Sequence, residues 1–207
     1  MYFPYLRGRQ YELIALRELL ANNKLGNNII PIIEPVKLSP TLISTLESFK
    51  DRNQQCSLIL NPTVGSFAEE YEDAKRANLV ERLDEVFNNN EKFYHVSLMS
   101  NHYTVQDNFK LTDDIHKLIT ICKSPDDLEG YKNNYNQQPT AYNIIMENGR
   151  LKREVSRNLV KISDHFSKLP RNTDYLQKPE EFFSDDHRYY STDGYKGFFF
   201  FFLVGEE

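Results

Sequence analysis

Apolar residues along this chain fall into short runs, each closed by polar or turn residues and followed by a stretch with helical spacing. Met1–Arg7 alternates as a strand, with Phe3, Tyr5 and Arg7 on one side and Tyr2, Pro4 and Leu6 on the other, and Gly8 breaks it. Gln10–Leu25 carries Leu13, Leu16, Leu19 and Leu20 on one stripe, which predicts an amphipathic helix stopped by Gly26. Ile29–Glu34 is too short and too β-branched for a helix. It is apolar on both faces, as a strand covered on each side is. Pro31 lies inside it and argues against a central position, because proline donates no ladder bond. Ser39 and Pro40 then open a helix buried through Leu42, Ile43, Leu46 and Phe49. Cys56–Leu60 predicts a third strand, Phe67–Phe87 one long charged helix, and Lys92–Met99 a fourth strand.

In the second half the pattern is thinner. Thr104–Asp114 predicts a weak helix and Lys117–Cys122 a fifth strand. Ser124-Pro125-Asp126-Asp127 is a helix start with acids at the positive end of the dipole. Thr140–Met146, Leu159–Asp164 and Phe198–Val204 predict strands six to eight. Asn148–Asn158 is polar and basic and too short for a full crossover helix, and Lys168–Gly197 reads as an irregular excursion. Strands spaced by helical segments imply parallel pairing through right-handed crossovers. The expected fold is therefore α/β, a (β/α)8 barrel of the TIM type that is incomplete in its second half. An open doubly wound parallel sheet is the alternative. Such barrels run to about 250 residues, and this chain has 207, so one undersized domain with an excursion over 168–197 is expected.

Composition changes the picture little. A hydrophobic content of 40% and a charged content of 27% suit a globular domain, and a net charge of -5 gives no reason to expect broad phosphate-backbone binding. Cys56 and Cys122 have no metal or redox spacing and read as buried thiols in a reducing compartment. Arg7 and Arg9 interrupt the start before any signal-like run, and Phe198–Val204 is shorter than a membrane span. A cytoplasmic protein without membrane contact is expected. The chain holds no GxGxxG and no GxxxxGK[ST], which excludes nucleotide binding in those modes, and no cofactor is expected.

Candidate chemistry gathers at the carboxyl ends of the strands, where parallel α/β proteins bind ligands. Those ends supply Arg7, Arg9, Glu34, Lys37, Asn61, Glu147, Asp164 and His165, and the excursion adds Arg171, Asp174, Asp185, Asp186 and His187. Read as an enzyme site, Glu34, Asp164 and Lys161 are the catalytic candidates. Arg7, Arg9, Lys37, Asn61, Arg171, Asp174 and His187 would bind an anionic ligand. Against this stands the plain fact that strand ends meet water and carry charge in any fold. Lys161 shares a face with Ser163, opposite Val160 and Ile162. Pointing inward it needs a partner, for which Glu34 is the natural candidate, whereas on the surface it needs none. Asp185-Asp186-His187 and Asp164-His165 lack HExxH or His-x-His spacing, so no metal is expected. Arg150, Lys152, Arg153 and Arg157 read as a solvated face, with nucleic acid or an acidic partner as the alternative.

The opening Met-Tyr-Phe-Pro-Tyr-Leu-Arg-Gly-Arg-Gln, with Glu12-Leu13, Ile29–Lys37, Arg171–Tyr175 and Glu181–His187, resembles a bacterial family related to the phage beta proteins. The resemblance implies a barrel-like α/β protein encoded beside a restriction-endonuclease-like partner in a phage or mobile-element conflict setting. It supplies no catalytic residues. The chain departs from that family at its close, where relatives are more polar than Phe198–Phe202 and continue past Gly205-Glu206-Glu207, as a truncated product would. The phenylalanine run is expected to form an apolar edge that favours a partner or a second copy. The leading expectation is a barrel working with a nuclease-like protein and not contacting nucleic acid directly. The alternative is a hydrolase or lyase acting on a phosphorylated or anionic small molecule.

Overall fold

A computed structural model describes residues 1–88, 90–100, 102, 114–135, 138–163 and 184–201. Eight strands pair in sequence order and close into a barrel: β1 (Tyr2–Leu6), β2 (Ile32–Ile33), β3 (Cys56–Ile59), β4 (Phe93–Leu98), β5 (Leu118–Cys122), β6 (Tyr142–Met146), β7 (Leu159–Ile162) and β8 (Gly197–Phe201). Every pairing is parallel. The fold is the expected TIM-type barrel. The open sheet is excluded because β1 and β8 pair from Tyr2↔Phe198 to Tyr5↔Phe201. With β7 on its other side, β8 is bonded along both flanks, so its phenylalanines do not form the expected edge.

Period-two alternation sorts each strand. Phe3, Tyr5, Ile32, Ile59, Val96, Ile121, Ile144, Val160, Ile162 and Phe199 fill the interior. Phe3 meets Tyr142 edge-on at 5.0 Å, and Tyr5 meets Phe199 edge-on at 5.7 Å, so rings occupy space that aliphatic side chains would leave open. Outside, α1 (Gln10–Ala21), α2 (Pro40–Asp51), α3 (Phe67–Glu72) and α4 (Ala77–Asn88) cover the first four strands through Leu13, Leu16, Leu42, Leu46, Phe49, Phe67, Leu83 and Val86. Across the barrel, α5 (Leu128–Tyr135) and α6 (Gly149–Val155) cover β5 to β7 through Leu128, Tyr131, Leu151 and Val155. Among the described residues the helices run to 12 residues each in α1, α2 and α4 and 6 in α3, against 8, 7 and 4 in α5, α6 and α7 (Asp186–Tyr189). Asn148–Asn158 nonetheless makes its crossover with a true helix. Asn148 starts α6 by accepting from the backbone N–H of Arg150 at 2.9 Å and of Leu151 at 3.3 Å.

Three expected elements differ, each for a visible reason. The first helix ends at Ala21, before Gly26, because Asn23 takes φ +53°. Its N–H bonds Leu20 O, while the Lys24 N–H bonds Leu19 O, a Schellman closure with asparagine in the glycine position. Leu19, assigned to the buried stripe, is 38% exposed. Pro31 cuts the second strand to Ile32–Ile33 plus a lone bridge from Ile29 to Tyr2, yet its carbonyl accepts both the Ser57 N–H and the Ser57 hydroxyl. The single helix expected over Phe67–Phe87 breaks at Asp73, whose backbone is extended and whose carboxylate caps Lys75 N at 2.9 Å, starting a new turn. The weak helix expected over Thr104–Asp114 lies outside the described residues apart from Asp114.

Candidate functional site

Parallel pairing brings the carboxyl ends of β1, β2 and β3 to one rim, and Arg7, Glu34 and Asn61 sit just beyond them. Glu34 is only 2% exposed. The inward-facing Tyr5 donates a short hydrogen bond from its hydroxyl to Glu34 Oε2. Glu34 Oε1 accepts from the Thr63 N–H at 2.9 Å and the Thr63 hydroxyl at 3.0 Å. Burial pushes the Tyr5 hydroxyl well above its ordinary pKa, and the bond to Glu34 and its charge push the same way, against a smaller pull from Arg7. Tyr5 is thus a fixed donor, and Glu34 ties the first strand to the loop after the third.

The loops carrying these groups brace one another. Gly8 sits at φ +60°, where an added Cβ would lie 3.0 Å from Glu34 O. Gly65, at φ +76°, comes closer still, since its Cβ would lie 2.0 Å from Val36 O. The neighbouring Ser66 N–H donates to the same Val36 carbonyl at 2.8 Å. Glu70 locks the arrangement by accepting from the Leu38 N–H and the Ser66 hydroxyl, both at 2.9 Å.

The remaining sequence candidates divide sharply. Asn61 shares the rim, but its amide is engaged: Oδ1 accepts from Leu98 N–H at 2.9 Å and Nδ2 donates to Leu98 O at 2.8 Å, as a backbone unit would. Lys37 is exposed on the loop after β2, and Arg9 is exposed at the start of α1, where its N–H bonds Glu12 at 2.9 Å. Asp164, His165, Arg171 and Asp174 lie outside the described residues. His187 is exposed on α7, on the outer wall.

Lys161 takes neither of the two expected settings. Val160 and Ile162 face the interior, so Lys161 points outward. It is nevertheless 7% exposed, and its partner is not Glu34. Its ammonium lies 3.0 Å from Asp186 of α7 and 3.1 Å from Glu147 beyond β6. Burial alone would lower the lysine pKa, and hydrogen bonds to the two acids reverse this and raise it. Burial likewise raises the Asp186 carboxyl, but hydrogen bonds from Ser163, Lys161 and Ser184 bring it down to about 2. The pair clips α7 to the outer side of β7, next to the carboxyl ends of β6 and β7.

Sequence reasoning missed three participants: Tyr5, Thr63 and the role of Asp186. For Tyr5 a signal existed, because it shares a face with Phe3, and that face turns inward. Thr63 and Asp186 act through loops whose return path no periodicity encodes. Among the described residues no group of three or more His, Cys, Asp or Glu side chains is placed to hold a metal. Asp186 is turned to Lys161 while Asp185 and His187 face solvent. Cys56 and Cys122 are both buried, and burial raises both thiols far above their ordinary range. No described helix is long and apolar enough to cross a membrane. No family model, curated protein or solved structure matches the chain.

Proposed function

We propose that this chain is a non-catalytic barrel that works with a separately encoded nuclease-like protein in a phage or mobile-element conflict setting. One observation carries the non-catalytic part. Glu34 and Lys161, the catalytic candidates among the described residues, and the rim amide Asn61 each bind the barrel's own frame, through Tyr5 and Thr63, Asp186 with Glu147, and Leu98. A general base needs a lone pair directed at a substrate proton, and the Glu34 carboxylate directs its oxygens at protein donors. The nature of the partner is supported by the resemblance of Met1–Gln10 and Ile29–Lys37. Co-expression with the adjacently encoded protein, followed by size-exclusion chromatography, tests the reading. Co-elution is expected, and a chain that elutes as a monomer in the neighbour's presence refutes it.

A second reading keeps the hydrolase or lyase acting on an anionic small molecule at the rim. It is favoured by Arg7, half-buried at the mouth with its charge close enough to act on Tyr5. Thermal stabilisation by inorganic phosphate that disappears in Arg7→Ala would support it, and an unchanged melting temperature at millimolar phosphate would dispose of it.

A further inference from the structure

At the end of the barrel opposite the rim, α1 and α2 close in the same way. Asn23 takes φ +53° and Asn53 φ +52°. The N–H groups of Asn53 and Gln54 bond Lys50 O and Phe49 O, both at 3.0 Å, which repeats the Schellman closure of α1. Carbonyls at both negative poles are thereby engaged.

A cavity of about 290 Å³ is lined by residues of both closures. That is the lower limit of small-ligand sites, roughly 300 Å³. Buried Leu20 and Leu25 give it an apolar floor. Its polar wall is held together by side-chain bonds. The Arg52 guanidinium donates to Asn23 Oδ1 at 2.9 Å, and the Gln54 amide donates to Asn27 Oδ1 at 3.2 Å. Both asparagine carbonyls are thus used within the wall, whereas their Nδ2 groups and the rest of the guanidinium are donors. Arg52 is the one charged side chain among the described lining residues.

Helix stability explains Arg52, since a cation suits the end of α2, but it does not explain Gly26. Asn23 already closes α1, and Gly26 lies outside the left-handed region. An added Cβ there would meet nothing within 4 Å. Glycine weakens a fold through its extra freedom in the unfolded chain, and here neither a backbone angle nor crowding requires it. Its missing side chain keeps the cavity open.

We propose that this cavity binds a small monocarboxylate. Arg52 and the asparagine amides take the carboxylate, and a short apolar body lies on Leu20 and Leu25. A carboxylate only accepts hydrogen bonds, which suits one guanidinium in a wall rich in donors. The site is independent of the rim and of any protein partner.

Amide correlation NMR spectra of the isotope-labelled full chain, titrated with sodium benzoate and with benzamide as its uncharged match, test it. A benzoate dissociation constant of about 1 mM is expected for a ligand of this size. The shifts should centre on the Gly26 N–H and the side-chain amides of Asn23, Asn27 and Gln54. Benzamide should bind about 5-fold more weakly, and Arg52→Gln should weaken benzoate by about the same factor and remove the preference. Gly26→Leu fills the cavity without backbone strain and should abolish binding. Lys50→Gln makes the same charge change as Arg52→Gln on an exposed position outside the cavity and should leave affinity within about 2-fold. The same spectra show that each variant is folded, and the exposed Arg52→Gln carries the test alone should Gly26→Leu not fold. No shift by about 20 mM benzoate, shifts at other sites only, equal affinity for benzamide, or undiminished binding in Arg52→Gln overturns the proposal.

Discussion

The clip between Lys161 and Asp186 makes a quantitative demand on stability and on its pH dependence. Asp186 is 4% exposed, and its carboxyl is held at about 2, against an ordinary value of 3.8. That displacement corresponds to about 2 kcal/mol of native-state stability at neutral pH. The folded pKa is the depressed one, so the contribution is complete above about pH 4 and is lost as pH falls through 2. Lys161 is raised above its ordinary 10.5, so its share is complete below that value and is lost only as pH rises through the higher folded one. Asp186→Asn should therefore lose about 2 kcal/mol in urea unfolding at pH 7, or about 4–8 °C in melting temperature for a chain of this length. The gap to the parent should narrow steadily from pH 4 to pH 2. Leaving Lys161 buried beside Glu147 alone keeps the loss below the 3–5 kcal/mol typical of a buried ion with no partner left, as an order of magnitude. Lys161→Met combined with Asp186→Leu should recover much of it, because no charge then remains to desolvate. A loss under about 0.5 kcal/mol, or a gap that does not change with pH, would refute the assignment of this pair as the anchor of α7.

Other sites make equally direct predictions. Gly65→Ala should destabilise by more than about 2 kcal/mol, because the added Cβ meets Val36 O as well as adopting φ +76°. Gly194→Ala, at φ +85° in open space, should lose only about 1 kcal/mol, and comparing the two urea midpoints separates crowding from backbone strain. Tyr5→Phe removes the donor to a buried carboxylate oxygen and should lose about 1–3 kcal/mol in chemical denaturation. Asn143→Ala leaves the Thr120 and Thr140 hydroxyls and Arg157 O without their partner and should lose about 2–3 kcal/mol. Amide exchange should quicken first in the turn at 156–158.

Most of the frame was legible because buried parallel strands write themselves as short apolar runs, and all eight were found in order. Side-chain caps were legible too: Ser39 accepts from Leu42 N and Ser124 from Asp126 N, as serine before proline suggested. What escaped were events decided by a single backbone angle or by a distant partner. Asn23 ends α1 because asparagine tolerates the left-handed region, which composition cannot separate from a solvated asparagine. Asp73 breaks a helix whose apolar stripe continues through it. Alternation set Lys161 opposite Val160 and Ile162 without saying which face turns inward, and its burial depends on α7, 25 residues further along and beyond an excursion with no periodicity. Rim chemistry was read from residue type alone, and type does not reveal that Asn61 and Glu34 already have all the partners they need for a structural role.

The placement of polar groups explains how so few residues close this barrel. A buried polar group must be bonded, and each bond is also a constraint between elements. Here such groups stand where connections are too short to hold themselves. Lys161 with Asp186 secures the four-residue α7, Asn143 secures the turn after the seven-residue α6, and Ser57 bonds the carbonyl of Pro31 where β2 has lost its donor. Glu34, through Tyr5 and Thr63, then joins the shortened β2 to its neighbours on both sides. Where α1, α2 and α4 are long, apolar burial does this work instead. The polar residues therefore track missing secondary structure more closely than they track the barrel mouth. That correspondence is the strongest structural reason to read them as frame.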